Sequence, residues 1–107
     1  MNRLVEKLKL DHWKIKWPEY NAEIELYGGS GLIQADGEIN NREIYLRAKY
    51  EHFEFDIANE ENVLPSDGGD GGYYRQRKVK EAGYADFETI ISYIEENIKE
   101  YKRETEQ

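Results

Sequence analysis

The chain has 107 residues, 36% of them charged and 38% hydrophobic, with a formal net charge of −8 and no cysteine. That length supports one domain around one core, and the absence of cysteine removes disulfides, thiolate metal sites and thiol nucleophiles. No apolar run approaches the roughly 20 residues of a membrane span, an aromatic content of 13% argues against disorder, and the negative charge repels nucleic acid at long range.

In residues 1–10, Leu4, Val5 and Leu8 fit either a helical turn or a leading strand. This opening stretch lacks the apolar run of a signal peptide, so a cytosolic location is expected. From His12 the pattern has period two. Trp13, Ile15 and Trp17 alternate with Lys14 and Lys16; Ile24 and Leu26 alternate with Glu23 and Glu25; Ile33 and Ala35 alternate with Gln34 and Asp36. Ile44, Leu46, Ala48 and Tyr50 then alternate with Tyr45, Arg47 and Lys49, and Phe53, Phe55 and Ile57 with Glu54 and Asp56. Such alternation marks strands with one buried face. Pro18-Glu19-Tyr20-Asn21, Gly28-Gly29-Ser30-Gly31 and Asn40-Asn41 supply turns between them.

Pairing the runs as a meander predicts registers. Trp17 opposite Ala22 sets Ile15 against Ile24, Lys16 against Glu23 and Lys14 against Glu25. Tyr50 opposite Phe53 sets Leu46 against Ile57, Lys49 against Glu54 and Arg47 against Asp56. Leu26 is expected opposite Ile33, and Ile39 opposite Ile44 across a four-residue loop that brings Asp36 to Arg47. Apolar pairs across strands favour these choices, and opposite charges favour all but the Leu26–Ile33 pairing, which sets Glu23 opposite Asp36 at a small like-charge cost unless Lys16 shields it.

Residues 59–84 form a long connection containing Asp67-Gly68-Gly69-Asp70-Gly71-Gly72, expected to be mobile. Residues 73–80 are either a sixth strand or irregular. Asp86 is the expected N-cap of a helix over about 86–103, with Phe87, Ile90, Ile91, Ile94, Ile98 and Tyr101 on its apolar stripe. Glu88, Glu95, Glu96, Lys99 and Lys102 fall on its polar face, with Glu95 and Lys99 as an i,i+4 pair. Residues 104–107 should fray. The expected architecture is α+β: one domain over residues 1–107, an antiparallel meander of five or six strands with the C-terminal helix packed on one face.

The inventory for chemistry is thin. His12 and His52 begin and end different strands, and acid–base work needs them to converge. Gly28-Gly29-Ser30-Gly31 precedes a strand rather than the Lys-Ser/Thr and helix of a phosphate loop. The two aspartates of the glycine-rich stretch lack calcium-loop spacing, so neither metal nor cofactor is expected. Glu23/Glu25, Asp36/Glu38 and Glu54/Asp56 read as a salt-laced solvent face. Trp13 and Trp17 fall on the apolar face and read as core under the helix.

The first binding surface to expect is the aromatic–basic run with Tyr73, Tyr74, Arg75, Arg77, Lys78 and Lys80, which offers rings for stacking and cations for anions. The acidic strip of Glu23, Glu25, Asp36 and Glu38 is the alternative. No catalytic constellation is recognisable. The composition therefore points to a small acidic binding or inhibitor protein whose partner is another protein, an analogy of size and charge to toxin-neutralising and nuclease-inhibiting proteins. A ligand- or nucleic-acid-binding module built on residues 73–80 is the second expectation.

Overall fold

A computed structural model describes residues 3–105. Seven strands follow one another in the chain: β1 (Leu4–Lys9), β2 (His12–Trp17), β3 (Ala22–Gly29), β4 (Leu32–Ile39), β5 (Arg42–Lys49), β6 (His52–Ile57) and β7 (Tyr73–Lys78). They pair antiparallel in sequence order in a single sheet, and helix α1 (Phe87–Thr105) follows. The architecture is the expected α+β meander with a C-terminal helix. Two more segments than the minimum are strands, because the undecided N-terminal stretch is β1 and the aromatic–basic run is β7. Among the described residues no helix is long and apolar enough to cross a membrane.

The alternation sorts the side chains as expected. Ile15, Trp17, Ile24, Leu26, Ile33, Ala35, Ile44, Leu46, Phe53 and Phe55 point to one face and join Ile90, Ile91, Ile94 and Ile98 of α1 in one buried cluster. Asp86 caps the helix, its Oδ1 accepting the Thr89 amide at 2.8 Å. The helix starts beside β2 and β3, where Phe87 meets Trp13 edge-on at 5.0 Å. It ends over β7, where Tyr101 packs against Tyr73. Trp17 is fully buried beneath it, while Trp13 is half-buried.

The β2–β3 register is the expected one, with Ile15 opposite Ile24 and Lys16 opposite Glu23. The three following hairpins are each two residues out of the expected register. Leu26 opposes Ala35, Ile39 opposes Arg42, and Ala48 opposes Phe53. Consequently Asp36 faces Tyr45 rather than Arg47, and Arg47 faces Glu54 rather than Asp56. The cause is turn chemistry. A slip of two preserves which face each side chain takes, so alternation cannot detect it, and tight two-residue turns decide the outcome. Asn40 and Asn41 both adopt positive φ (49° and 67°), Gly31 has φ 74°, and Tyr50 has φ 56°.

The glycine-rich connection is anchored to the sheet. Asp56 is buried, and its Oδ2 accepts the Ser66 amide at 2.7 Å. Asp56 therefore does not belong to a solvent-facing carboxylate pair with Glu54. Asn59 donates from Nδ2 to the Asp70 carbonyl at 2.9 Å and accepts the Glu61 and Val63 amides at its Oδ1. Gly69 passes so close to Val63 that a Cβ would lie 2.8 Å from its carbonyl carbon.

Candidate functional site

Four of the six residues of the aromatic–basic run are engaged within the fold: Tyr73, Arg75 and Arg77 toward α1, and Tyr74, whose hydroxyl donates to Glu54 at 3.3 Å. Tyr73 is buried and donates its hydroxyl to Asn97 Oδ1 at 2.7 Å, and burial pushes its pKa up. Arg75 bonds Glu100 through Nε (3.1 Å) and Nη2 (2.7 Å) and reaches Glu104 at 2.8 Å. Its guanidinium lies 4.3 Å from the centre of the Tyr73 ring. Arg77 bonds Glu96 at 2.8 Å and covers the Tyr93 ring. Strand alternation explains this, since Tyr73, Arg75 and Arg77 share the helix-facing side of β7. The matching signal lay in α1, where Glu96, Glu100 and Glu104 recur every four residues and so line one side of the helix. Tyr74 and Lys78 take the opposite side of β7, and Lys80 is exposed beyond its end.

That opposite side is the outer face of the sheet, away from α1, and the registers arrange its charges in rows across the strands. One row runs Lys16–Glu23–Glu38–Glu43 from β2 to β5. The next runs Lys14–Glu25–Asp36–Tyr45 over the same strands. Glu23 thus stands directly opposite Glu38, Glu38 opposite Glu43, and Glu25 opposite Asp36. Like charges so placed destabilise a sheet by some tenths of a kcal/mol each.

Relief within the chain is partial. Lys16 lies 3.9 Å from Glu23, and His12 lies 3.8 Å from Glu25. Tyr27 donates its hydroxyl to Glu25, which pushes the Tyr27 pKa up to about 12, and its ring stacks on His12. Asp36, Glu38 and Glu43 make no salt bridge among the described residues.

These carboxylates border a groove of about 410 Å³ that Lys14, Ile24 and Gly37 also line. Gly37 is required here. A Cβ would meet the Glu23 carbonyl and come within 2.6 Å of Ile24 Cα, forcing β3 and β4 apart beneath the acids. The alternation reveals Glu23, Glu25, Asp36 and Glu38 as surface acids. It misses Glu43, which joins the row only because Asn40-Asn41 is a two-residue turn.

The arrangement suits electrostatic recognition. His12 on β2 and His52 on β6 stand four strand spacings apart, about 19 Å, too far to share a proton. Among the described residues no three His, Asp or Glu side chains converge as ligands for one metal ion. The molecule belongs, by architecture, to the sequential antiparallel meanders backed by a single helix. Comparison with protein-family models, curated proteins and solved structures finds no match.

Proposed function

We propose that this chain is a small acidic cytosolic binding protein of the inhibitor type, and that its partner is a protein presenting a basic surface to the outer face of β3–β5. One observation carries the reading. Five carboxylates, Glu23, Glu25, Asp36, Glu38 and Glu43, border one groove with like charges directly opposed, against a single lining cation, Lys14, at its β2 edge. A cluster that costs the free protein stability is relieved when lysines or arginines of a partner enter it. The overall charge of −8 adds long-range steering toward such a partner.

The test is a low-ionic-strength pull-down with the purified chain, run beside a Glu23→Gln/Glu38→Gln/Glu43→Gln variant. The expected partner is basic, leaves the wild-type chain as salt rises, and is not retained by the variant. Amide exchange in the complex should slow on β3–β5. Equal retention by both forms, or protection confined to other strands, would sink the proposal.

A further inference from the structure

The same outer face carries a third charged row, of opposite sign, at its other end. Lys49 opposes His52 on β6, and His52 opposes Lys78 on β7. Directly opposed residues hold their Cβ atoms about 5 Å apart, so two ammonium groups flank one imidazole along a single row. Arg47 stands one position inward on the same side of β5 and lines, with Lys49, Tyr50 and His52, a separate depression of about 180 Å³. Neither Arg47, Lys49 nor Lys78 makes a salt bridge among the described residues, in a chain with 23 acids to 15 bases. The one acid lining the depression, Glu54, stands directly opposite Arg47 and accepts a hydrogen bond from Tyr74 of β7, on the side away from β5.

The turn that ends this row is also unusual. Tyr50 occupies the left-handed region at φ 56°, a conformation that bulky residues avoid and that glycine or asparagine supplies at Gly31, Asn40 and Asn41. Its ring is exposed, and the Lys49 ammonium sits 4.8 Å from the ring centre. Two hydrogen bonds from the chain beyond β7 hold the turn. Val79 donates to the Glu51 carbonyl and Ala82 to the Tyr50 carbonyl, each at 2.8 Å. The cations are therefore mounted on paired strands and on a fixed turn, so a ligand meets them without ordering a loop.

We propose that Arg47, Lys49, His52 and Lys78 form an anion site for a phosphate monoester. The row offers two ammonium groups, a guanidinium and an imidazole N–H to one compact oxyanion, which suits the several acceptor oxygens and double charge of a phosphoryl group. The site is independent of the acidic groove, which lies on β3–β5 at the opposite end of the face.

The probe is inorganic phosphate titrated into the full chain at low ionic strength, with chloride at matched ionic strength as control, followed by backbone amide shifts. Saturable shifts are expected at Lys49, Tyr50, His52 and Lys78, and none with chloride. Lys49→Gln/Lys78→Gln should weaken phosphate binding by about tenfold or more. It should leave the melting temperature unchanged or slightly higher, since it relieves a like-charged row. Linear, non-saturating shifts, saturation centred on other strands, or unchanged affinity in the double variant would each overturn the site.

Discussion

Trp17 donates its indole N–H to Glu95 at 2.9 Å, joining β2 to the middle of α1 across 78 positions of sequence. The ring is fully buried and the carboxylate largely so, and Arg3 approaches Glu95 from the other side at 3.6 Å. Glu95 is thus an interface residue that orients the helix on the sheet, and not one half of a solvent-facing pair with Lys99. Glu95→Ala should cost about 1–3 kcal/mol, because it leaves a buried N–H without an acceptor, while Lys99→Ala, on the exposed side, should change stability by less than about 0.5 kcal/mol. Urea denaturation of both variants decides; equal small effects would remove the orienting role.

Arg75 contributes through packing on Tyr73 as well as through its two carboxylates, both near 40–50% exposed. Its loss should cost only about 1 kcal/mol after solvent screening. The pH dependence is more diagnostic. Hydrogen bonding from Arg75 holds the Glu100 carboxyl below its usual value near 4.5. A carboxylate with a depressed folded-state pKa stabilises above its unfolded pKa, and that stability is lost as pH falls from about 4.5 through the folded value. Wild type should therefore lose more stability than Arg75→Ala over that acid range, and parallel stability–pH curves would contradict the link.

Gly37→Ala probes the close approach beneath the acidic groove. The new methyl has no room against the β3 backbone, so a destabilisation of about 1–3 kcal/mol is expected. Gly68→Ala controls for a different effect, since open space surrounds that position and only its positive φ of 91° penalises a side chain. Thermal melts of the two give the comparison; a Gly37 variant as stable as wild type would mean that the strands separate there freely.

Neutralising an opposed acid should stabilise the free protein. Glu38 has like-charged neighbours on both sides, Glu23 and Glu43, so Glu38→Gln should add about 0.2–1 kcal/mol at low salt. The gain should shrink toward zero near 1 M salt, where the Debye length is about 3 Å. Loss of stability at low salt would show that a cation already satisfies Glu38.

The sequence makes strand identity, sidedness and helix stripe legible, because period two and period 3.6 survive without knowledge of the neighbours. Register was legible only for β2–β3, where lysines on one strand meet glutamates on the other. Between β4 and β6, pairing by opposite charge points to Asp36–Arg47 and Arg47–Asp56, whereas the fold sets Glu38 against Glu43 and Arg47 against Glu54. Between β3 and β4 the expected Leu26–Ile33 pairing itself sets Glu23 against Asp36, so charge does not select that register, and the turn residues, Asn40-Asn41 above all, carry the deciding information. Arg75 and Arg77 looked like a free basic surface because their carboxylate partners lie about 20–30 positions away on α1. Glu95 looked like a solvent-facing acid because a helical wheel cannot show that an indole N–H waits beneath it.

The order of elements has a consequence during synthesis. Every strand pairs with the one made just before it, so hairpins can close one by one as the chain emerges from the ribosome. None of these nascent sheets can cover its apolar side, because α1 is encoded after all seven strands. Until residues 87–105 emerge, Ile15, Trp17, Leu26, Leu46 and Phe55 face water or whatever else is nearby. A ribosome that stalls in the stretch between β7 and α1 would therefore hold out a paired but sticky half-protein, and chaperone demand should be greatest in that window.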